Sequence, residues 1–541
     1  MRGLILLTGL LFLISCGERK PHGDKKIFRY NEPKGITSLD PAFARSMSNT
    51  WGINLLYNGL VQLDSQLNIQ AAIAKRWTVS TDGKTYHFFL RSDVTFHVDQ
   101  CFGRDSTRPV VAQDFVYSFR RILDSQVASP GKWIFANVSQ PSETAFTAVS
   151  DTELVISLKQ AFPPFLGMLA MHYCSVVPHE AVRKYGKDFR MHPVGTGPFR
   201  FFIWKEGIKL VVHKNPSYFE QDEQGQQLPY LDAVSVSFVS DAQSSFMAFV
   251  QGRTDMLNGL DDGSYKDAIL TRSGQLKKEL ADKIYLKRSA FLNTEYLGFL
   301  VSDTAKAAAN SPVTNPHFRK AVNYALDRRK MIHYLRNNIG IPGEQGLVPP
   351  SLYKSAANRV KGYTYDSQLA KEYLVKSGYL QNPVPVKLFI TAQYADLCEF
   401  IQHELAAIGI NASLEVNPPG THGEIVAKGQ APFFRKSWVA DYPDAENYLS
   451  LLYSKNFTPN GPNYTLYTNA TFNALYDQSM QTIMEEDREA LYSKMDSLSL
   501  ADAPMVVLFY DESLRFLNKR VKSLTNNPLN LLDLKRCQVE R

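Results

Sequence analysis

Residues 4–14 (LILLTGLLFLI) form an uninterrupted apolar run behind a single basic residue, Arg2. Eleven residues in a helix rise about 16 Å, roughly half of a bilayer's hydrocarbon core. The run is therefore too short to span a membrane. It has the length and position of a signal h-region, removed on export. This constrains everything downstream: the remaining chain folds on the far side of a membrane, and this run contributes nothing to its core. No later segment is long and apolar enough to span, and no internal repeat or low-complexity block interrupts the pattern.

The run ends in Leu13-Ile14-Ser15-Cys16-Gly17. That string resembles the lipobox of bacterial lipoproteins, in which the cysteine becomes the lipidated first residue. The resemblance implies a signal peptide over 1–15 and a lipidated N-terminus and tether over 16–27, with Cys16 holding the chain to a membrane. Residues 18–26 (ERKPHGDKK) are polar and basic, as a tether should be. The alternative is an ordinary signal peptide with an incidental cysteine. Export also permits disulfides. Cys101, Cys174, Cys398 and Cys537 match no zinc spacing, and any pairing among them is not readable from sequence. They are taken as structural or free.

A chain of 541 residues exceeds one hydrophobic core, so two or three domains are expected. Its net charge of +7 is small for that length, and no arginine-rich run occurs. Nucleic acid is thereby excluded as a partner. A weak attraction to anionic lipid near the N-terminus fits the charge. From Phe28 onward the pattern is mixed α and β. Asp82-Gly83 lies between Thr78-Val79 and the alternating Tyr86, Phe88 and Leu90, which predicts a hairpin. Phe115, Phe119 and Ile122 share one helical face. Residues 53–60 (INLLYNGL) predict a short helix ending near Gly59. Asp241 opens a helix with a stop at Gly252, Pro316 stands at the first position of another, and Asp366 caps a third that stops near Gly378. Gly195-Thr196-Gly197 is a tight turn and lacks the third glycine of a dinucleotide fingerprint.

Residues 435–444 (RKSWVADYPD) carry the densest chemistry. Arg435, Trp438 and Asp441 recur every third residue, with Tyr442 beside the acid. Strand alternation splits such pairs, so the chain is expected to turn here, helped by Pro443. A carboxylate walled by Trp and Tyr is poorly hydrated and seeks a cation, such as a ligand's ammonium. The plain alternatives are an internal salt bridge between Arg435 and Asp441, or a solvated loop.

Six blocks taken together, 77–91, 109–121, 194–219, 318–328 (FRKAVNYALDR), 438–447 and 503–509 (APMVVLF), resemble the family 5 bacterial solute-binding proteins. These are the receptors of peptide and nickel ABC importers, and the resemblance spans nearly the whole mature chain. It implies an α/β, two-lobed periplasmic-binding-protein fold of type II-like, hinged form, with an extra small domain inserted in the first lobe. The implied layout is 28–70 and 193–288 in the first lobe, 71–192 inserted, 289–502 in the second lobe, and 503–541 returning to the first. It further implies a monomeric, non-catalytic receptor without cofactor or metal. The receptor captures peptides and delivers them to ABC permease subunits. In peptide-binding members the acid of a Trp-x-x-Asp motif holds the ligand's α-ammonium, and Trp438 and Asp441 match it. In some oligopeptide receptors an arginine three residues before the tryptophan meets a short peptide's carboxylate, and Arg435 matches that position.

One departure concerns the main chain. Members often pair the ligand with an extended segment near the N-terminus; here residues 31–35 include Pro33, which has no N–H to donate. Two further readings stand beside the peptide receptor: a receptor for a nickel chelate or another non-peptide solute, and an exported hydrolase. Asp441 favours an ammonium-bearing ligand over an anionic chelate. Against the hydrolase, His179-Glu180 and His403-Glu404 begin HExxH-like strings, but Arg183 and Ala407 stand where the second histidine is needed, and no GxSxG elbow occurs.

Overall fold

Two long strands, Ile284–Phe299 and Met505–Asn518, run antiparallel through the middle of the molecule and belong to both of its lobes. The computed structural model describes residues 25–259, 266–309 and 311–540. The 4–14 run and Cys16 lie outside the described residues. On one side, Met505–Asn518 pairs through its C-terminal end with Met256–Asn258. The sheet continues through Ile27–Asn31, Ala233–Ser237, Lys209–Lys214 and Phe199–Lys205. On the other side, Ile284–Phe299 pairs through its C-terminal end with Phe433–Val439, followed by Val386–Thr391 and Ala412–Asn417. The eleven-stranded sheet is thus shared by two lobes.

The transition is visible in the register. Ala290 faces Glu512 and Thr294 faces Tyr510, so one strand carries extra residues between them. Such a bulge bends a strand and sharpens its twist. Asp511 lies opposite it and accepts hydrogen bonds from Asn293 Nδ2 and from Arg336, both at 2.5 Å.

A separate four-stranded antiparallel sheet sits within the first lobe's chain: Ala74–Val79, Thr85–Leu90, Glu153–Ser157 and Phe146–Ser150. Its first hairpin turns at Gly83, whose φ of +68° explains the glycine there. The helix Ala112–Leu123 covers it, with Phe115, Phe119 and Ile122 buried as their spacing predicts. In the second lobe, Pro316–Ala325 is capped by Asn315 and Ser367–Lys376 by Asp366. Ala242–Val250 in the first lobe is capped by Asp241.

One expectation needs correction. The helix expected over 53–60 is Met47–Leu56, because the Ser46 hydroxyl caps it and the chain is already extended at Tyr57. Residues 31–35 lie at the end of a strand within the first lobe's sheet. The Glu32 N–H donates to the Ser237 carbonyl at 2.8 Å, and the Gly35 N–H to the Glu32 carbonyl at 3.0 Å. That backbone is engaged internally, whatever Pro33 lacks.

Cys174, Cys398 and Cys537 are buried free thiols and Cys101 is a partly buried one. Among the described residues no helix is long and apolar enough to cross a membrane.

Candidate functional site

The strand Phe433–Val439 sets the geometry. Leu297 stands opposite Arg435 and Thr294 opposite Trp438, so regular pairing holds throughout and the chain turns only after Val439. Arg435 and Trp438 therefore project from opposite faces of the sheet. The expected turn between them is absent, since strand pairing with the central strand continues through both residues.

On one face, Arg435 meets Glu295, the diagonal neighbour on the crossing strand. Its Nη2 donates to Glu295 Oε2 at 2.5 Å. Both side chains are nearly sealed, at 9% and 2% exposure. The guanidinium carbon lies 3.1 Å from the centroid of the Tyr394 ring. Burial pushes the Glu295 carboxyl up to about 7, while Arg435 pulls it back toward ionisation. The salt bridge contemplated between Arg435 and Asp441 is not formed: Arg435 is committed to an acid 140 residues away in sequence.

On the other face, the Trp438 indole donates to Asn447 Oδ1 at 2.8 Å. The same oxygen accepts from the Asp441 N–H at 3.3 Å. One amide thus orients the ring and the turn carrying the acid. The turn is also tied to the bulge, because the Ala440 N–H and the Tyr448 hydroxyl both donate to the Leu292 carbonyl, at 2.9 and 2.7 Å. The Asp441 carboxylate reaches solvent, yet protein surrounds it closely enough that burial pushes its carboxyl above the ordinary range. Only Asn447 works in the other direction. Among the described residues no basic side chain is paired with it. Burial, and after it the Asp441 charge, raises the Tyr173 phenol of the first lobe, and the adjacent Tyr442 packs on Trp133 of that lobe, so Asp441 lies at the junction between lobes.

Tyr442 does something else. It is buried at 5% exposure and belongs to the first lobe's apolar core, although it is carried by the second. Its ring packs 6.3 Å from that of Trp133, and its hydroxyl donates to Glu446. Beside it, Pro443 packs over Gly167, and Ile483 over Gly83. These contacts hold the two lobes together around Asp441.

Sequence reasoning missed Glu295, Asn447, Tyr173 and Glu446. Asn447 had a signal, since it ends one of the six blocks. Glu295 had none, because nothing in a strand's sequence names the acid that will lie beside it. The two HExxH-like acids are occupied: Glu180 pairs with Arg108 at 2.6 Å and Glu404 with Lys330 at 2.9 Å. Among the described residues no group of His, Cys, Asp and Glu is arranged to hold a metal ion. A small cavity lined by Asn54, Asn58, Gln62, His172 and Lys535 is built wholly from the first lobe and includes neither Trp438 nor Asp441.

The comparisons with known proteins agree with this architecture. The family model described as "Bacterial extracellular solute-binding proteins, family 5 Middle" matches residues 68–460. Heme-binding protein A of Haemophilus influenzae is 27% identical over 500 residues, covering 87% of this chain and 85% of that protein. The glutathione-binding protein GsiB of Escherichia coli is 25% identical over 488 residues, covering 88% and 87%. Among solved structures, the periplasmic binding protein DppA of Helicobacter pylori in complex with the peptide STSA superposes with a TM-score of 0.72 at 25% identity, covering 95% of this chain and 98% of that one. HbpA2 of Haemophilus parasuis superposes with a TM-score of 0.79 at 21% identity, covering 95% and 99%, a likeness of fold.

Proposed function

The chain belongs to family 5 of the bacterial extracellular solute-binding proteins, non-catalytic receptors that serve ABC importers of peptides or related solutes, and from that premise we propose that it captures a peptide by its free ammonium end at Asp441. The observation that carries this reading is an ionisable acid at the lobe junction with which no basic side chain among the described residues is paired. Trp438 and Asn447 hold it in place. A ligand ammonium would supply the missing charge in a partly dehydrated setting, where charge-assisted hydrogen bonds are strongest.

In this reading Trp438 walls the ammonium site, Tyr442 seals it by docking into the first lobe, and Arg435 is structural, its charge spent on Glu295. A non-peptide ligand with an ammonium group would satisfy the same acid; an anionic nickel chelate would not. The DppA neighbour was solved with the peptide STSA and the GsiB relative is named for glutathione. Cys16 anchors the receptor as a lipoprotein that acts as a monomer facing the periplasm or cell exterior. Cys16→Ser is expected to release it from membranes or to leave it uncleaved.

The deciding experiment is calorimetric titration of C-amidated Gln-Ala-Ala, with its amino end free or acetylated, against wild type and Asp441→Asn. The free peptide is expected to bind wild type more tightly than the acetylated one, and the variant to lose most of that preference. Equal affinities in all four combinations would remove Asp441 from the site.

A further inference from the structure

The first lobe's part of the large sheet buries one face and leaves the other open. Phe28, Val234 and Val212 stand side by side on the inner face, each 0% exposed. Alternation sends their neighbours outward. Arg29 shares an outer row with Val211, Arg200 stands opposite His213, and Lys205 opposite Lys209. Arg29, Arg200, Lys205 and Lys209 are all exposed, and among the described residues no ion pair joins them to an acid. The acids at the border are engaged elsewhere: Glu206 with Arg190 at 2.6 Å, and Asp232 with the Lys26 N–H at 2.7 Å.

The same face carries large apolar side chains in the open. The register between Phe199–Lys205 and Lys209–Lys214 slips between Phe201 and Ile203, which makes Phe202 the extra residue of a bulge on the sheet's edge strand. A bulge re-aims the side chain it inserts. Phe202 is 60% exposed, and its ring stacks on that of the outward-facing His213 at 4.2 Å. Ile208, at the tip of the same hairpin, is 62% exposed. It follows Gly207, whose φ of +67° makes the turn, and its carbonyl accepts from the Phe238 N–H at 3.2 Å. A single exposed hydrophobe is ordinary. An aromatic and an aliphatic side chain held among cations form the kind of surface that settles into a lipid headgroup layer.

The chain enters the body at this face. The Asp232 N–H donates back to the Lys26 carbonyl at 2.8 Å, and Ile27 then pairs with Ala233, which in turn pairs with His213. Lys25 and Lys26 add two exposed cations at the point of entry. Ten peptide steps separate Cys16 from Lys26, a reach of at most about 36 Å. A body tethered that closely, beside its own basic and apolar face, meets the bilayer with that face. Trp438, Asp441 and Tyr442 are carried by the second lobe's chain and are not part of it.

We propose that the outer face of the first lobe's sheet docks on anionic lipid, with Arg29, Arg200, Lys205 and Lys209 against headgroup phosphates and with Phe202 and Ile208 in the headgroup layer. The proposal rests on the reading of Cys16 as the anchor and adds an orientation that a tether alone does not impose. Cations near a charged bilayer attract it roughly additively, and the attraction fades within a Debye length.

The test is co-sedimentation of residues 16–541 carrying Cys16→Ser, and so without lipid, with vesicles of phosphatidylcholine alone or mixed equally with phosphatidylglycerol. Wild type is expected to bind the mixed vesicles about tenfold more tightly, and to lose that preference at high salt. The triple variant Arg200→Gln, Lys205→Gln, Lys209→Gln should weaken binding to the mixed vesicles about fivefold. A control of equal net charge, Lys361→Gln, Lys371→Gln, Lys376→Gln, alters exposed lysines of the second lobe and should weaken it less than about twofold. Phe202→Ser should cost about threefold. Near-UV circular dichroism checks that each variant keeps the native packing. No preference for the mixed vesicles overturns the proposal, as does an equal loss in both triple variants, which would make net charge the cause. A face variant that binds like wild type also overturns it, because the attraction would then belong to residues 18–26. Failure of the anchor is read separately, in cells, as Cys16→Ser that is still processed and still membrane-bound.

Discussion

Arg435 and Asp441 are six residues apart and carry opposite charges, yet the fold puts them in opposite surroundings. Arg435 stays in a paired strand, on the face turned toward the second lobe's core, and finds Glu295 waiting on the neighbouring strand. Asp441 comes after the pairing ends, on a turn that faces the other lobe, and no basic side chain among the described residues is paired with it. A charge whose partner lies within the chain is a structural element. A charge left without one at a lobe junction is available to a ligand. The difference lies in strand phase and in where pairing stops, not in the residue types.

The comparison breaks most visibly through Glu295. Glu295→Gln would leave a buried guanidinium that cannot shed its proton. Removing one partner of a sealed pair costs about 3–5 kcal/mol. Urea unfolding of the second lobe should show that loss, while the preference for free over acetylated peptide persists. Replacing both partners, as Glu295→Leu with Arg435→Met, should recover most of the stability. A single-variant loss under ~1 kcal/mol would mean that the pair is not structural.

Glu446 sharpens the comparison with an acid that is buried like Glu295 but has two tyrosine hydroxyls, of Tyr442 and Tyr476, in place of a cation. Burial pushes its carboxyl up from the ordinary 4.5 to about 7. The folded state thus prefers the protonated acid. Its contribution is fully present below pH 4.5 and is lost as pH rises through 7. At about 1.4 kcal/mol per pH unit this is roughly 3 kcal/mol. Glu446→Gln cannot titrate, so wild type should gain stability relative to this variant as pH falls from 8 to 5. Parallel unfolding curves at both pH values would contradict that.

Asp441→Asn tests the other end. Binding of a free-ended peptide should weaken about 30-fold, which is about 2 kcal/mol. The unliganded protein should be no less stable than wild type, because burial already disfavours the ionised acid. A binding loss accompanied by an equal loss of folding stability would place Asp441 with Arg435 among the structural charges.

The smallest effect belongs to Asn447. Asn447→Ala removes the oxygen that accepts from both Trp438 and Asp441. A lost hydrogen bond of this kind is worth about 1 kcal/mol, so peptide affinity should fall about fivefold, with acetylation still discriminated. Tryptophan fluorescence should report the freed indole in the same titration.

Much of the local structure is legible in the chain because its causes are local. Asp82-Gly83 makes a hairpin because glycine accepts a positive φ, and Asp241, Asn315 and Asp366 start helices because each side chain bonds an exposed N–H within three residues. The family resemblance, carried by six ordered blocks, implies the two-lobed α/β fold. The 53–60 helix was misplaced because its cap, Ser46, precedes the apolar residues that signalled it.

What the sequence alone determined is the set of groups present: an acid flanked by Trp and Tyr, and an arginine six residues before it. Their roles were decided by tertiary structure, because charges act through space and not along the chain. The regular phase of Phe433–Val439 turned Arg435 away from Asp441. The crossing strand brought Glu295 from 140 residues away. The packing of the lobes drew Tyr442 into a core it does not belong to by sequence. Periodicity and capping chemistry span a few residues and can be read in order. A pairing energy depends on distance and burial, and these exist only after the chain has folded.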